Sequence, residues 1–258
     1  MAPSDIQTFW NNRSRLTPEC VGTRDLLAKR IEMKAISKYA RDGMRVLEVG
    51  CGNGLMAFYL TQKFRVDVLA IDFAEELIIA ARSLLENQTT KGKVKFQVDD
   101  VRKLSGMNEK FDLIYTERVL INLSDWDSQK QAIADITQHL RPGGRYVMCE
   151  NSQDGLDKIN SLRERIGLSK ITTPWHNRYL RDDELTSAHF PGIKLEKVIF
   201  YSSTYYFLSR VVNAWLAARQ GKEPDYDAPV NQLALLLPSL GTLGQGRIWL
   251  WRKIEEKS

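Results

Sequence analysis

Cysteine is scarce in this chain: Cys20, Cys51 and Cys149 are the only three in 258 residues. They lie far apart and form no C-x-x-C pair, which argues against a disulfide framework and against a zinc site; no metal is expected. Histidine is equally sparse, at His139, His176 and His189. The net charge is +5 without a dense Lys/Arg tract, so nucleic acid is not an expected partner. The opening MAPSDIQTFWNNRSR has no apolar run of the signal-peptide kind. The most apolar stretch, LALLLPSLGTLG, is too short to span a bilayer and contains Pro238. No transmembrane segment and a reducing, cytoplasmic location are therefore expected. Internal repeats, low-complexity runs and long linkers are also missing.

What is present is an alternation. From Met44, MRVLEVG reads as a strand and LMAFYLTQKF as the helix after it. VDVLAID is a second strand, and EELIIAARSLLEN a helix with acidic residues at its start, where the helix dipole favours them. VKFQVDD and FDLIYTE are the third and fourth strands. The helix SQKQAIADITQHL stops at RPGG, and RYVMCE is the fifth strand. Strands separated by single helices imply right-handed crossovers and a parallel sheet. The fold expected is α/β: a Rossmann-like, doubly wound, mostly parallel sheet with an antiparallel C-terminal strand. One domain is expected over 1–258. It comprises an N-terminal helical cap (1–43), a core (44–150), an insertion after the fifth strand (151–191) and C-terminal strands and helix (192–258). In the last part, LEKVIFYSSTYYF and GRIWLWRKI read as strands around the helix LSRVVNAWLAAR. Tyr205 and Tyr206 would then sit on a strand. The apolar tail pieces are expected to cover the sheet and wall the pocket; if exposed, they would suit lipid contact or a homodimer.

Ligands of such sheets bind beyond the carboxyl ends of the strands. There VLEVGCGNG carries Gly50, Gly52 and Gly54 in a G-x-G-x-G turn. The dinucleotide fingerprint would need glycine at position 55, which is Leu55. Carboxylates end every strand: Glu48, Asp72, Asp99 with Asp100, Glu117 and Glu150. At about 4 Å and an effective dielectric near 20, each would cost a pyrophosphate charge on the order of 4 kcal/mol. The same ring suits a ligand rich in amine, sulfonium and hydroxyl groups.

With these motifs, residues 44–150 resemble the class I S-adenosylmethionine-dependent methyltransferases. The resemblance implies S-adenosyl-L-methionine as cofactor. Glu48, Gly50, Gly52 and Gly54 would form the turn beside its methionine part, with Cys51 a small residue in the turn. Asp72 would take both ribose hydroxyls, Phe73 would pack on adenine, Asp100 would accept from the adenine amino group, and the Val101 amide would face the ring. Thr116 and Glu117, in T-E-R-V-L, would lie near the methyl group. A weaker resemblance joins FWNNRSRL, GTRDLLAKRIEMKAI and the stretch from NSQDGLDKINSLRERIGL to PWHNRYL to methyltransferases of surface-carbohydrate and sugar-modifying pathways. It implies a small-molecule acceptor such as a sugar or lipid-linked sugar.

Methylation of a hydroxyl usually wants a general base. His176, in PWHNRYL, is the leading candidate, because this region often lies over the acceptor pocket in the resembled fold. Glu117 and Glu150 are further candidates. Trp175, Asn177, Arg178 and Tyr179 would bind the acceptor. His139 reads as a helix-end residue and His189 as a loop residue. The motif N/D-P-P-Y/F of base-modifying methyltransferases is replaced by Thr116, Glu117, Arg118 and Val119. N-methylation or carboxyl methylation of a small molecule, and a non-catalytic cofactor-binding scaffold, remain as alternatives.

Overall fold

The structure is a computed structural model that describes residues 3–86 and 88–254. Asn87, expected to close a helix, and the expected domain's ends at 1–2 and 255–258 lie outside the described residues. In chain order the elements are α1 (Pro3–Arg13), α2 (Leu26–Ser37), β1 (Arg45–Val49), α3 (Leu55–Lys63), β2 (Asp67–Asp72), α4 (Glu75–Glu86), β3 (Lys93–Val98), β4 (Phe111–Glu117), α5 (Trp126–Gln138) and β5 (Leu140–Asn151). There follow α6 (Gln153–Arg165), α7 (Asp182–Ser187), β6 (Ile193–Ile199), α8 (Ser203–Phe207), a π-helical stretch (Leu208–Asn213), α9 (Ala214–Arg219), α10 (Pro229–Leu233) and β7 (Gly246–Lys253).

The seven strands form one sheet in the order β3-β2-β1-β4-β5-β7-β6. β7 runs antiparallel to both its neighbours and the other pairings are parallel. Period-two alternation divides the apolar side chains between two faces. Val46, Val68, Leu113, Val147 and Leu250 pack under α2, α3 and α4 with Ile36, Met56 and Ile78. Leu47, Leu69, Ile114, Met148 and Trp249 pack against α5 through Ile133 and Ile136. The strands in the middle are thus covered on both sides, as a parallel sheet requires.

Two expectations change. SSTYYF is helical, in α8, and not part of a strand. Tyr205 donates a hydrogen bond from its hydroxyl to Asp25 Oδ1 at 2.5 Å, and the Arg210 guanidinium lies over the Tyr206 ring. These tertiary contacts outweigh the β-preference of Tyr and Thr. The leucine-rich tail does not wall the cavity described below: Leu236 and Leu240 are 83% and 68% exposed.

Candidate active site

The chain winds away from β1 in one direction through β2 and β3, and in the other through β4 and β5. Such a reversal leaves a crevice at the carboxyl ends of the strands. A cavity of about 1110 Å³, open mouth included, lies there. Its floor is the turn after β1 and its adenine-side wall would be Asp72–Phe73 with Asp99–Arg102.

The turn is shaped by two glycines. Gly50 has φ +73°, and a Cβ there would lie 2.3 Å from Val119 Cγ2, so neither the backbone nor the neighbour tolerates a side chain. Gly52 has φ +54° and no atom within 4 Å of where its Cβ would be; its bare backbone faces open space. The Gly50 and Cys51 N–H groups both donate to Ile71 O, fastening the turn to β2. Gly54 packs elsewhere: its Cβ would meet Phe96 at 2.5 Å, and it does not line the cavity. Cys51 is buried, and burial pushes its thiol pKa well up, which suits a small filler and not a nucleophile.

The carboxylates differ in their surroundings. Asp72 is buried at the end of β2; Oδ2 accepts from the Gly52 N–H at 2.7 Å and Oδ1 from the Ala74 N–H at 2.9 Å. Burial raises its pKa to about 6 against those hydrogen bonds. Each oxygen keeps lone-pair capacity for a further donor. Phe73 follows on the cavity wall, its carbonyl accepting from Gln7 Nε2 at 2.9 Å. Asp100 caps the 3-10 turn that Val101 begins, taking the Arg102 N–H at 2.9 Å. Burial pushes its pKa up, but the Arg102 hydrogen bonds outweigh this and hold it low. Glu48 lines the floor, 3% exposed, and its Oε2 is buried without a hydrogen-bond partner. Burial raises its pKa to about 8.

An orphaned acceptor at Glu48, an open backbone at Gly52 and a two-oxygen acceptor at Asp72 together fit a ligand with an amine at one end and vicinal hydroxyls further on. The residues present therefore fit S-adenosylmethionine.

The cavity wall at the end of β4 is charged. Glu117, at the end of β4, lines the cavity and pairs with Lys29 Nζ at 2.6 Å and Arg118 at 3.4 Å. Burial pushes its pKa up, yet these cations hold the carboxylate down near 2. Arg118 has φ +58°, a left-handed conformation that costs a non-glycine residue on the order of 1 kcal/mol. Its guanidinium donates to Gly22 O at 3.1 Å.

The structure separates other expected site residues from the cavity. Thr116 is fully buried and shares a 3.0 Å hydrogen bond with the Tyr146 hydroxyl. Glu150 is spent on backbone: it accepts from the N–H groups of Val119, Leu120 and Ile121 and so caps the turn after β4. His176 stacks on Phe9, ring centroids 4.3 Å apart, and meets Trp10 edge-on at 5.9 Å. Its Nδ1 is buried without a partner, and burial, then Arg13, lowers its pKa. Trp175 is exposed; Asn177 has a buried, unpartnered Oδ1; Arg178 pairs with Glu184 and Gln129; Tyr179 is buried beside Gln245. Neither His176 nor these four line the cavity. This part of the insertion packs on α1, through Trp175 on Phe9 and His176 on Phe9 and Trp10.

The roof comes from the N-terminal segment. Ile6, Trp10, Pro18, Val21 and Lys29 line the cavity. Trp10 Nε1 donates to Asn122 Oδ1 at 3.2 Å, and Asn53 Nδ2 to Pro18 O at 2.8 Å. Sequence reasoning missed Trp10, Lys29, Arg118 and Asn122 as wall residues. The only trace was FWNNRSRL, whose aromatic and polar composition is unusual for a surface helix. Among the described residues, no group of three or more His, Cys, Asp or Glu is placed to hold a metal, and no helix is long and apolar enough to cross a membrane.

A family model described as a methyltransferase domain matches residues 46–144. Residues 46–144 form a class I S-adenosylmethionine-dependent methyltransferase domain. The O-methyltransferase cnsE of Penicillium expansum is 29% identical over 147 residues, covering 57% of this chain and 50% of that protein. The demethylmenaquinone methyltransferase of Leptospira interrogans is 32% identical over 106 residues, 40% of this chain and 41% of its own. The chain thus spans half or less of the length of these curated relatives. The N-methyltransferase NodS of Bradyrhizobium japonicum, solved with S-adenosyl-L-homocysteine, superposes with a TM-score of 0.57 over 95% of this chain and 97% of that one, at 14% identity. The methyltransferase fold therefore extends well past the matched core, into the roof and the C-terminal elements.

Proposed function

We propose that this chain transfers a methyl group from S-adenosylmethionine to a hydroxyl of a small molecule, carbohydrate-like in character. The observation that carries the reading is the convergence on one cavity of Glu48, the open Gly52 backbone, Asp72 and, beyond them, Glu117. The O-methyltransferase relative supports an oxygen acceptor, and the weaker sequence resemblance to sugar-modifying enzymes supports a sugar or lipid-linked sugar. The three cysteines are free thiols, in keeping with a reducing, cytoplasmic setting.

When bound, the cofactor supplies a methyl group on a positively charged sulfur, so the protein chiefly has to position the acceptor. Asp72 would hold the ribose hydroxyls and Glu48 the amine. Trp10 and the 18–22 segment would close the cavity and exclude water. Glu117 would accept a hydrogen bond from the acceptor hydroxyl and aim its oxygen lone pair. In this reading Glu117, and not His176, is the proton partner, since it is the one that lines the cavity. Glu117 would take up the hydroxyl proton as the acceptor oxygen takes the methyl group.

The test uses cofactor with a labelled methyl group, incubated with the protein and an extract of the source cells. Label in a sugar or lipid-linked sugar fraction is expected, and label in nucleic acid or protein would overturn the acceptor. With the recovered acceptor, Glu117→Gln should lower turnover about a hundredfold while S-adenosylhomocysteine binding persists.

A further inference from the structure

A second cleft, of about 850 Å³ with its open mouth, lies on the α2 side of the sheet, at the end away from the glycine turn. It shares no lining residue with the first cavity. Leu250 of β7, 2% exposed, is its floor, with Tyr39 and Met44 beside it. Four cations line it, Lys38, Arg41, Arg145 and Lys197, against one carboxylate, Glu196. The whole chain carries a net charge of only +5, so the fold gathers at one place cations that the sequence scatters. Two features hold them there. β6 slips register between Leu195 and Lys197. Neighbours on a regular strand face opposite ways, but this bulge lets Glu196 and Lys197 line the same cleft. Arg41 closes the end of α2, donating to Lys38 O at 2.7 Å and Ala40 O at 2.6 Å, which fixes its guanidinium. Glu196 is already taken: Oε2 accepts from Arg145 Nε at 3.0 Å, and Oε1 lies 3.7 Å from Arg252 Nη1. Lys38 and Lys197 pair with no carboxylate among the described residues. Their charge is left for a ligand.

We infer that this cleft binds a small molecule carrying a polyphosphate, of the nucleoside diphosphate kind. Guanidinium and ammonium groups are the side-chain partners of phosphate oxygens. The cations stand on two sides, Lys38 and Arg41 at the end of α2, Arg145 and Lys197 on the sheet. An anion with charge on two phosphates satisfies both sides, where a single carboxylate serves one. Tyr39, Met44 and Leu250 give the uncharged part of the ligand an apolar surface. The strand-end carboxylates that repel a pyrophosphate from the first cavity are replaced here by cations. The inference stands independently of the proposed methyl transfer.

Calorimetry tests it, with S-adenosylhomocysteine present at saturation to fill the first cavity. GDP should bind about tenfold more tightly than GMP, and guanosine should give no heat. Lys38→Glu combined with Lys197→Glu should abolish GDP binding while the circular dichroism spectrum stays unchanged, reporting an intact fold. Lys130→Glu combined with Lys222→Glu alters the net charge equally at exposed positions that do not line the cleft, and should leave GDP binding as it was. Amide shifts on adding GDP should cluster at residues 38–44, 145 and 196–197. Absence of GDP binding to the unaltered protein, equal loss from both pairs of substitutions, or tighter binding of a poly-glutamate peptide than of GDP would each overturn the polyphosphate site.

Discussion

Asp72 ties the glycine turn to the strand beside it: its Oδ2 accepts the Gly52 N–H at 2.7 Å while Oδ1 accepts the Ala74 N–H at 2.9 Å. One side chain thus fixes the floor of the cavity and starts the helix that follows. Asp72→Ala should weaken S-adenosylhomocysteine at least tenfold by calorimetry. Stranding two backbone donors should also lower unfolding stability by about 2 kcal/mol. Unchanged affinity would remove the ribose role.

Glu150 holds the turn after β4 through three backbone N–H groups. Glu150→Ala should destabilise the fold by roughly 2–3 kcal/mol, read by denaturant titration. Glu150→Gln, which keeps an acceptor oxygen, should cost less and leave the shape of the pH–rate profile unaltered. A lost pH limb in Glu150→Gln would make it a proton acceptor after all.

His176 braces the roof through its ring. His176→Phe should therefore keep turnover within about threefold, whereas a general base would cost on the order of a hundredfold or more. His176→Ala, which removes the stack on Phe9 and Trp10, should expose residues 5–22 to limited proteolysis.

Burial raises the Glu48 pKa from its ordinary 4.5 to about 8, so between those values the folded chain keeps a proton that the unfolded chain has released. The stability this contributes is fully present below about pH 4.5 and is lost as pH rises toward 8. Glu48→Gln removes the titration. Its melting temperature should gain on that of the unaltered protein steadily from pH 5 to pH 8; parallel profiles would show that Glu48 ionises freely in the fold.

The core was legible because its signals are local. In MRVLEVG and VDVLAID the strand, the turn glycines and the terminal carboxylate follow one another directly, and each helix announces itself by period. Asp72 and Glu117 could be marked simply as strand-end carboxylates. Their partners could not. Lys29 stands 88 positions before Glu117, and Trp10 stands 112 before Asn122, distances at which sequence spacing carries no contact information. PWHNRYL misled for a related reason: its residue types suit an acceptor pocket, but its ring partners, Phe9 and Trp10, belong to α1. SSTYYF looked like a strand by propensity, and tertiary contacts such as the Tyr205–Asp25 bond, which joins α8 to the start of α2, explain its helix.

The roof and the floor of the cavity are written in separate stretches of chain, joined by side-chain hydrogen bonds such as Trp10–Asn122 and Gln7–Phe73 and by the packing of Trp10 and Val21 with Phe73, Ala74 and Leu77. The part that holds the donor molecule can therefore stay fixed while residues 5–22 are exchanged. On the proposed reading, in which this segment closes over the acceptor, grafting it from a relative should shift acceptor preference while leaving every strand in place.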